Sequence, residues 1–287
     1  MLFLVGGVIV VGCVVGGYLG PGGHLGVLFQ PFEFVIIFGA ALGAFIISNP
    51  MSTIMGTLKS FGTLLKGSKL KKQSYVELLS MMYAVFKLAK TKGDLALESH
   101  VDKPEESALL QAFPGFAGNH HAVHFFCDNL RLLTLGSSNA HELEAIIDAE
   151  LEAHHSHGHA VPAALQSVAD GMPALGIVAA VLGVIHTMGS ITEPPEVLGH
   201  LIGAALVGTF TGVLVAYGFI APIAKSLENI QVAEAPYLNC MKTALIAHVQ
   251  GYAPQISVEF ARKTLTGAVR PSFEEMDEAL QSVQLPA

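Results

Sequence analysis

The lysines and arginines of this 287-residue chain fall in two stretches, ten between Lys59 and Arg131 and five between Lys225 and Arg270. None precedes Lys59, and none occurs from Leu132 to Ala224. The gaps hold the most apolar parts of the chain. Basic loops are retained on the cytoplasmic side of a bilayer while apolar segments insert. The pattern therefore predicts a multi-span membrane protein and also its orientation.

Composition agrees. Hydrophobic residues make up 52% of the chain and charged residues only 13%, against about 25% in a typical soluble domain. The formal net charge of −8 argues against a nucleic-acid partner. Cys13, Cys127 and Cys240 stand far apart and form no CxxC pair, so neither a disulfide framework nor a zinc site is expected. The apolar N-terminus has no basic n-region and no small-x-small cleavage site, so it reads as a retained span and not a secretory signal.

Four uncharged runs are predicted to cross the membrane: Leu2–Leu19, Phe34–Met51, Gly171–Thr192 and Val197–Ala224. A crossing needs about 20 residues. The chain divides accordingly: 1–51 holds spans one and two, 52–169 a cytoplasmic helical block, 170–224 spans three and four, and 225–287 a cytoplasmic helical tail. The basic block between spans two and three places both termini inside. In the middle block, Tyr75, Leu78, Leu79, Met82, Tyr83, Phe86 and Leu88 follow helical spacing, and Lys90, Lys92 and Gly93 end the pattern. Leu143–Glu152 repeats it, with Glu142, Glu144, Asp148 and Glu150 on the polar side. No strand-forming alternation occurs, so the expected fold class is an all-α membrane protein.

Ionisable groups inside a span mark function because they are costly there. Spans three and four contain no Asp or Glu, while Glu33 and Asp170 read as span edges. Any ion-binding carboxylate is therefore expected from a partner. The same spans carry small residues: Gly176, Ala179, Ala180 and Gly183 on span three, and Gly203, Ala204, Gly208, Thr209 and Gly212 on span four. Small residues let helices approach closely in lipid, either within a four-span bundle or around a partner helix. Pro173 and Pro222 each remove a backbone donor near the cytoplasmic ends of these spans, as helix ends or as hinges. The run His154-His155-Ser156-His157-Gly158-His159 reads as a solvated, flexible linker, and no metal or catalytic site is expected.

Several segments carry a family resemblance. They are Gly16-Gly17-Tyr18, Gln30-Pro31-Phe32-Glu33-Phe34-Val35-Ile36-Ile37, Pro173-Ala174-Leu175-Gly176-Ile177-Val178-Ala179-Ala180, Val207-Gly208-Thr209-Phe210, Ala216-Tyr217-Gly218-Phe219-Ile220-Ala221-Pro222, Gly251-Tyr252-Ala253-Pro254 and Arg270-Pro271-Ser272-Phe273. In order and spacing they resemble the MotA family of flagellar-motor stator subunits, within the wider MotA/TolQ/ExbB proton channels. The resemblance covers nearly the whole chain. It implies a homopentamer around a dimer of a MotB-like single-span partner, which supplies the ion-binding Asp. It also implies a rotor partner, FliG, and a bacterial inner-membrane location in contact with lipid.

Residue by residue, the resemblance implies rotor-facing roles for Lys90, Glu98 and Glu150. The family commonly has Arg where this chain has Lys90, and Lys lacks the planar fork. Pro173 and Pro222 match conformational prolines. Gly176, Ala180, Gly183, Gly208, Thr209 and Gly212 match the ion pathway and partner-helix interface. Sodium-driven relatives carry Thr at the position of Ala180, and Ala offers no oxygen for a hard cation, so protons are the expected coupling ion. No other cofactor is implied, and the chain is not expected to be an enzyme. The alternative is an ExbB/TolQ-like subunit driving an envelope-spanning partner.

Overall fold

A computed structural model describes residues 2–66, 70–136 and 139–283. Met1 and residues 284–287, which close the first and last predicted segments, lie outside the described residues, as do 67–69 and 137–138 of the predicted middle block. Eleven longer helices follow in order: α1 (Leu2–Leu19), α2 (Pro31–Ser48), α3 (Met51–Lys66), α4 (Lys72–Lys92), α5 (His120–Thr134), α6 (Ala140–Met188), α7 (Pro195–Val215), α8 (Ala221–Val232), α9 (Ala235–Val249), α10 (Pro254–Thr264) and α11 (Phe273–Gln281). Short helical turns fill the connections, and the described residues contain no strand. The all-α expectation holds.

The chain packs as two compact units, residues 1–68 with 158–230 and residues 69–157 with 231–287. These units follow backbone proximity, whereas the boundaries predicted at 51/52, 169/170 and 224/225 follow hydropathy and charge.

The first unit displays large apolar side chains outward. Val8 is 72% exposed, Phe32 83% and Ile47 88%, and Val35, Ile185 and Leu206 are also exposed. A soluble monomer does not present so much continuous apolar surface. The helical stretches Leu25–Ser48, Ala140–Met188 and Pro195–Val249 are each long and apolar enough to cross a membrane. The 18 residues of α1 are apolar all round and sit at the short end of the spanning range of about 17–25 residues. Inside the unit, Ile37 and Ala41 of α2 meet Met172, Ala179 and Ala216. A second cluster joins Leu64, Leu165, Ala224 and Leu227.

Prolines move two span boundaries from their expected places. The helix predicted as the second span is α2, Pro31–Ser48, three residues earlier than Phe34–Met51. Pro31 takes the first helical position, where a missing N–H costs nothing. At the other end Pro50 holds Asn49 extended (φ −125°, ψ 143°). The final carbonyls are satisfied locally, with Ser48 Oγ donating to Ala44 O at 2.7 Å and Asn49 Nδ2 to Phe45 O at 2.8 Å. Pro195 likewise opens α7 two residues before the expected start.

The largest departure concerns the histidine run. His154–His159 is not a linker but part of α6, which runs unbroken through Pro162 and Pro173. Histidine has middling helix propensity, and the alanines at 149, 153, 160, 163 and 164 favour helix. Polarity alone does not break a helix. Pro173 is therefore inside a helix and not at its end. Pro222 follows a widened turn, Ala216–Ile220, and is the second residue of α8. A proline has no N–H to continue an α-helical ladder, which fits a local change of pitch there.

The second unit is built on α4. Its stripe is buried as the spacing predicts: Tyr75, Leu78, Leu79, Met82, Phe86 and Leu88 are in the core, with Tyr83 half-buried. α5, α9 and α10 contribute Phe126, Leu130, Leu245, Met241, Val258 and Ala261. Edge-to-face rings join Tyr75 to Tyr237 (5.3 Å), and Phe86 stacks on His248 at 4.5 Å. α4 ends where the sequence says it should. Gly93 adopts φ +86°, a conformation costly for any residue with a Cβ, and its N–H closes on Ala89 O at 2.7 Å.

One buried cation ties the C-terminal segment together. Arg262 is 7% exposed and grips Glu259 with two bonds of 2.7 Å, while its remaining nitrogen donates to Pro271 O at 2.8 Å. The guanidinium bonds hold the Glu259 carboxyl below the usual carboxylate range. Lys has no planar fork, so Arg262→Lys should destabilise this unit by about 1.5–3 kcal/mol, read as an earlier unfolding midpoint in denaturant. An unchanged midpoint would contradict the bracing role.

Candidate functional site

The closest helix contact in the first unit is the seam between α6 and α7. A Cβ added at Gly176 would lie 2.8 Å from the Gly208 carbonyl and 3.2 Å from Gly212 Cα. One at Gly212 would lie 2.8 Å from the Met172 carbonyl, and one at Gly183 would lie 2.7 Å from Ala205 Cβ. At Gly208 it would lie 3.0 Å from Ala179 Cβ and 3.2 Å from Ala180 N. Contacts below about 3 Å to backbone leave nothing to yield, so only glycine fits. In lipid such backbone approach replaces the hydrophobic drive that water supplies elsewhere.

The structure thus brings Gly176, Gly183, Gly208 and Gly212 together within one chain. These four glycines are occupied by helix packing inside the chain. Ala180 and Thr209, by contrast, keep partial exposure, while Gly176, Gly208 and Gly212 are buried. Those two residues, with the partly exposed Gly183, are where the seam still reaches the chain's surface.

Sequence reasoning missed one member. Glu33 is the third residue of α2, where it reads as a span edge. In the fold its carboxylate lies against the seam. Oε1 is 3.3 Å from where a Gly183 Cβ would stand, and Oε2 is 3.1 Å from the corresponding point at Gly208. Oε2 is buried and has no hydrogen-bond partner. Spans three and four carry no acid of their own, yet α2 delivers one to them. Reading Glu33 only as a span edge therefore missed an acid of this chain beside the seam. The available signal was the placement of the lone acid of an otherwise uncharged segment in the first turn of its helix. There the positive end of the helix dipole favours a negative charge.

The expected rotor-facing residues lie in the second unit. Lys90 is in the last turn of α4 and Glu98 opens the short helix Glu98–Asp102, on either side of the Gly93 turn. Both are exposed, and neither has a salt-bridge partner among the described residues. Glu150 differs. It is half-buried, and its Oε2 accepts from Asn129 Nδ2 at 2.9 Å, an amide that is itself 1% exposed. One of its oxygens is therefore engaged in holding α5 to α6.

Comparison with known proteins places these features. Residues 4–93 match the family described as Motility protein A N-terminal, and residues 118–238 match the MotA/TolQ/ExbB proton channel family. Motility protein A of Salmonella typhimurium is 42% identical over 286 residues, covering 100% of this chain and 97% of that protein. The chain belongs to the motility protein A family. Its fold is similar to that in the structure of C. jejuni MotAB, with a TM-score of 0.76 at 20% identity over 92% of this chain and 95% of that one. It also resembles a chain of the flagellar MotAB stator complex from Bacillus subtilis, with a TM-score of 0.72 at 25% identity over 89% and 92%. The family is one of ion-channel subunits and not of enzymes.

The seam yields a direct test. Gly212→Ala places a methyl against two backbone atoms, whereas a methyl at Gly199 meets nothing within 4 Å. Overpacking typically costs about 1–3 kcal/mol. Gly212→Ala should lower the thermal unfolding temperature of the purified protein in detergent by several degrees, with Gly199→Ala unchanged. Equal behaviour of the two variants would mean that the α6–α7 approach is looser than described.

Proposed function

We propose that this chain is the ion-channel and torque-generating subunit of a bacterial flagellar stator, coupling inward proton flow to rotation of a rotor. The observation that carries the reading is full-length similarity to Motility protein A of Salmonella typhimurium, joined to a glycine seam whose small residues occupy the positions expected of an ion pathway. The match of residues 4–93 to the motility-specific N-terminal family favours the motor over an envelope-spanning energy transducer.

In this reading α1, α2, the apolar part of α6 and α7 are four crossings of the inner membrane, with both termini cytoplasmic. Five copies surround two copies of a MotB-like partner, and the structures that the fold resembles are of MotAB. The partner's Asp takes up the proton beside Ala180 and Thr209. The glycines are spent on packing inside the chain, so the partner helix rides on the flank of the seam. Ala180 offers no oxygen to replace sodium's water shell, which favours protons. Glu33, unpaired against the same seam, sets an acidic side chain beside the pathway.

Protonation neutralises the partner's charge and changes how its helix seats against the ring. Pro173, which leaves the Ala169 carbonyl without its helical donor, and Pro222, beside the widened turn at 216–220, give α6 and α8 places to bend. One charge falling through about 150 mV releases about 3.5 kcal/mol. That drives a step of several times thermal energy but does not break a large buried interface. Contacts with the rotor, FliG in the family, are accordingly few and polar, through the free charges of Lys90 and Glu98. Glu150 contributes through the charge its second oxygen presents, while the first holds Asn129.

Three measurements test the reading. Reversing both charges, Lys90→Glu with Glu98→Lys, should abolish swimming while the protein still accumulates in the membrane. Unaffected swimming would remove the rotor assignment. Glu33→Gln, which keeps shape and removes charge, should slow swimming at unchanged membrane abundance, and an uncoupler should stop the parent cells in sodium-containing medium. Sustained swimming with the proton gradient collapsed would overturn the proton assignment.

A further inference from the structure

The second unit holds a cluster that the stator reading does not use. His121 is the second residue of α5, His154 lies on α6, and Glu234 caps the start of α9. One ligand atom from each lies within 4.8 Å of the others. The two imidazoles are in tilted contact, with centroids 4.3 Å apart and planes 34° apart. Three segments separated by dozens of residues thus bring two imidazoles and a carboxylate to one point.

We propose that His121, His154 and Glu234 form a binding site for one divalent transition-metal ion, with Zn2+ the best-matched species. The donor set carries the choice. Calcium and magnesium take all-oxygen shells, whereas imidazole suits zinc, copper and nickel. Two histidines with one carboxylate, plus an open position, is a donor set that zinc adopts. Ligand atoms in a tetrahedral site with bonds of about 2.0–2.1 Å stand about 3.3 Å apart, so side-chain rotations on the ångström scale close the present gaps. His154 is partly buried on α6.

A bound ion would tie the first turn of α5 and the start of α9 to α6 within this unit. Binding to the folded form alone raises its stability in proportion to the logarithm of ion concentration over Kd. The histidine run thus has a use that its sequence position hides. Only His154 of that run belongs to the site, and its partners come from elsewhere.

The experiment uses the full-length chain with its membrane partner, free of any polyhistidine tag, stripped with chelator and titrated with Co2+ and then with Zn2+ in competition. One equivalent of Co2+ should bind with the visible d–d bands of a low-coordinate imidazole site, and Zn2+ should displace it and raise the unfolding temperature. His121→Ala, His154→Ala and Glu234→Gln should each weaken binding at least about tenfold, as losing a ligand costs no less than losing a supporting contact. His155→Ala and His159→Ala should bind as the parent does. Absence of saturable binding overturns the proposal. So does binding that survives His121→Ala and Glu234→Gln but falls in His155→Ala and His159→Ala, which would be chelation along the α6 run.

Discussion

The membrane part of this protein depends on how closely α6 and α7 approach. Where glycine meets glycine across the seam, a single methyl would strike backbone at Gly176 and Gly212. Lipid gives no hydrophobic drive for helices to associate, so dispersion and backbone proximity must hold them. That requirement explains the uncharged, glycine-rich spans better than any catalytic demand. It also settles what is left for function. With the glycines filled by the chain's own helices, Ala180 and Thr209 remain partly exposed, and one carboxylate, Glu33, lies unpaired where the seam is tightest.

The second unit follows different physics. Its core is ordinary water-driven burial around α4, with rings and thioethers packed against α5, α9 and α10. The charges that the seam excludes collect on its surface. Lys90 and Glu98 are left without a salt-bridge partner on either side of the Gly93 turn, in contrast with Arg262, whose nitrogens are committed to internal partners, and with Glu150, one of whose oxygens is. A free charge costs the fold nothing and is available to an external one. A stator acting by brief electrostatic contacts needs charges of that kind.

Much of this was legible in the sequence, and the failures have physical causes. The distribution of Lys and Arg reports solvent directly, so the helical membrane class follows from it. The α4 stripe and its Gly93 stop are local in origin, and local rules found them. Boundaries shifted where proline acts on backbone geometry, at Pro31, Pro50 and Pro195, because hydropathy is blind to φ and ψ. The His154–His159 run misled for the opposite reason, since polarity suggested a linker while flanking alanines favoured helix. Glu33 and the His121–His154–Glu234 cluster lay beyond reach, because each exists only through contacts between segments far apart in the chain. The distinction between glycines used for packing and residues left for a partner is likewise tertiary information.

The central claim is that this chain shapes a proton path but completes it only with an acid supplied by a second chain. Purified protein reconstituted into vesicles, alone and with its single-span partner, tests this through a pH-sensitive dye under an imposed membrane potential. Proton uptake is predicted only when both chains are present, and it should fall when Glu33 is replaced by Gln. Uptake by this chain alone at the rate of the pair would contradict the account.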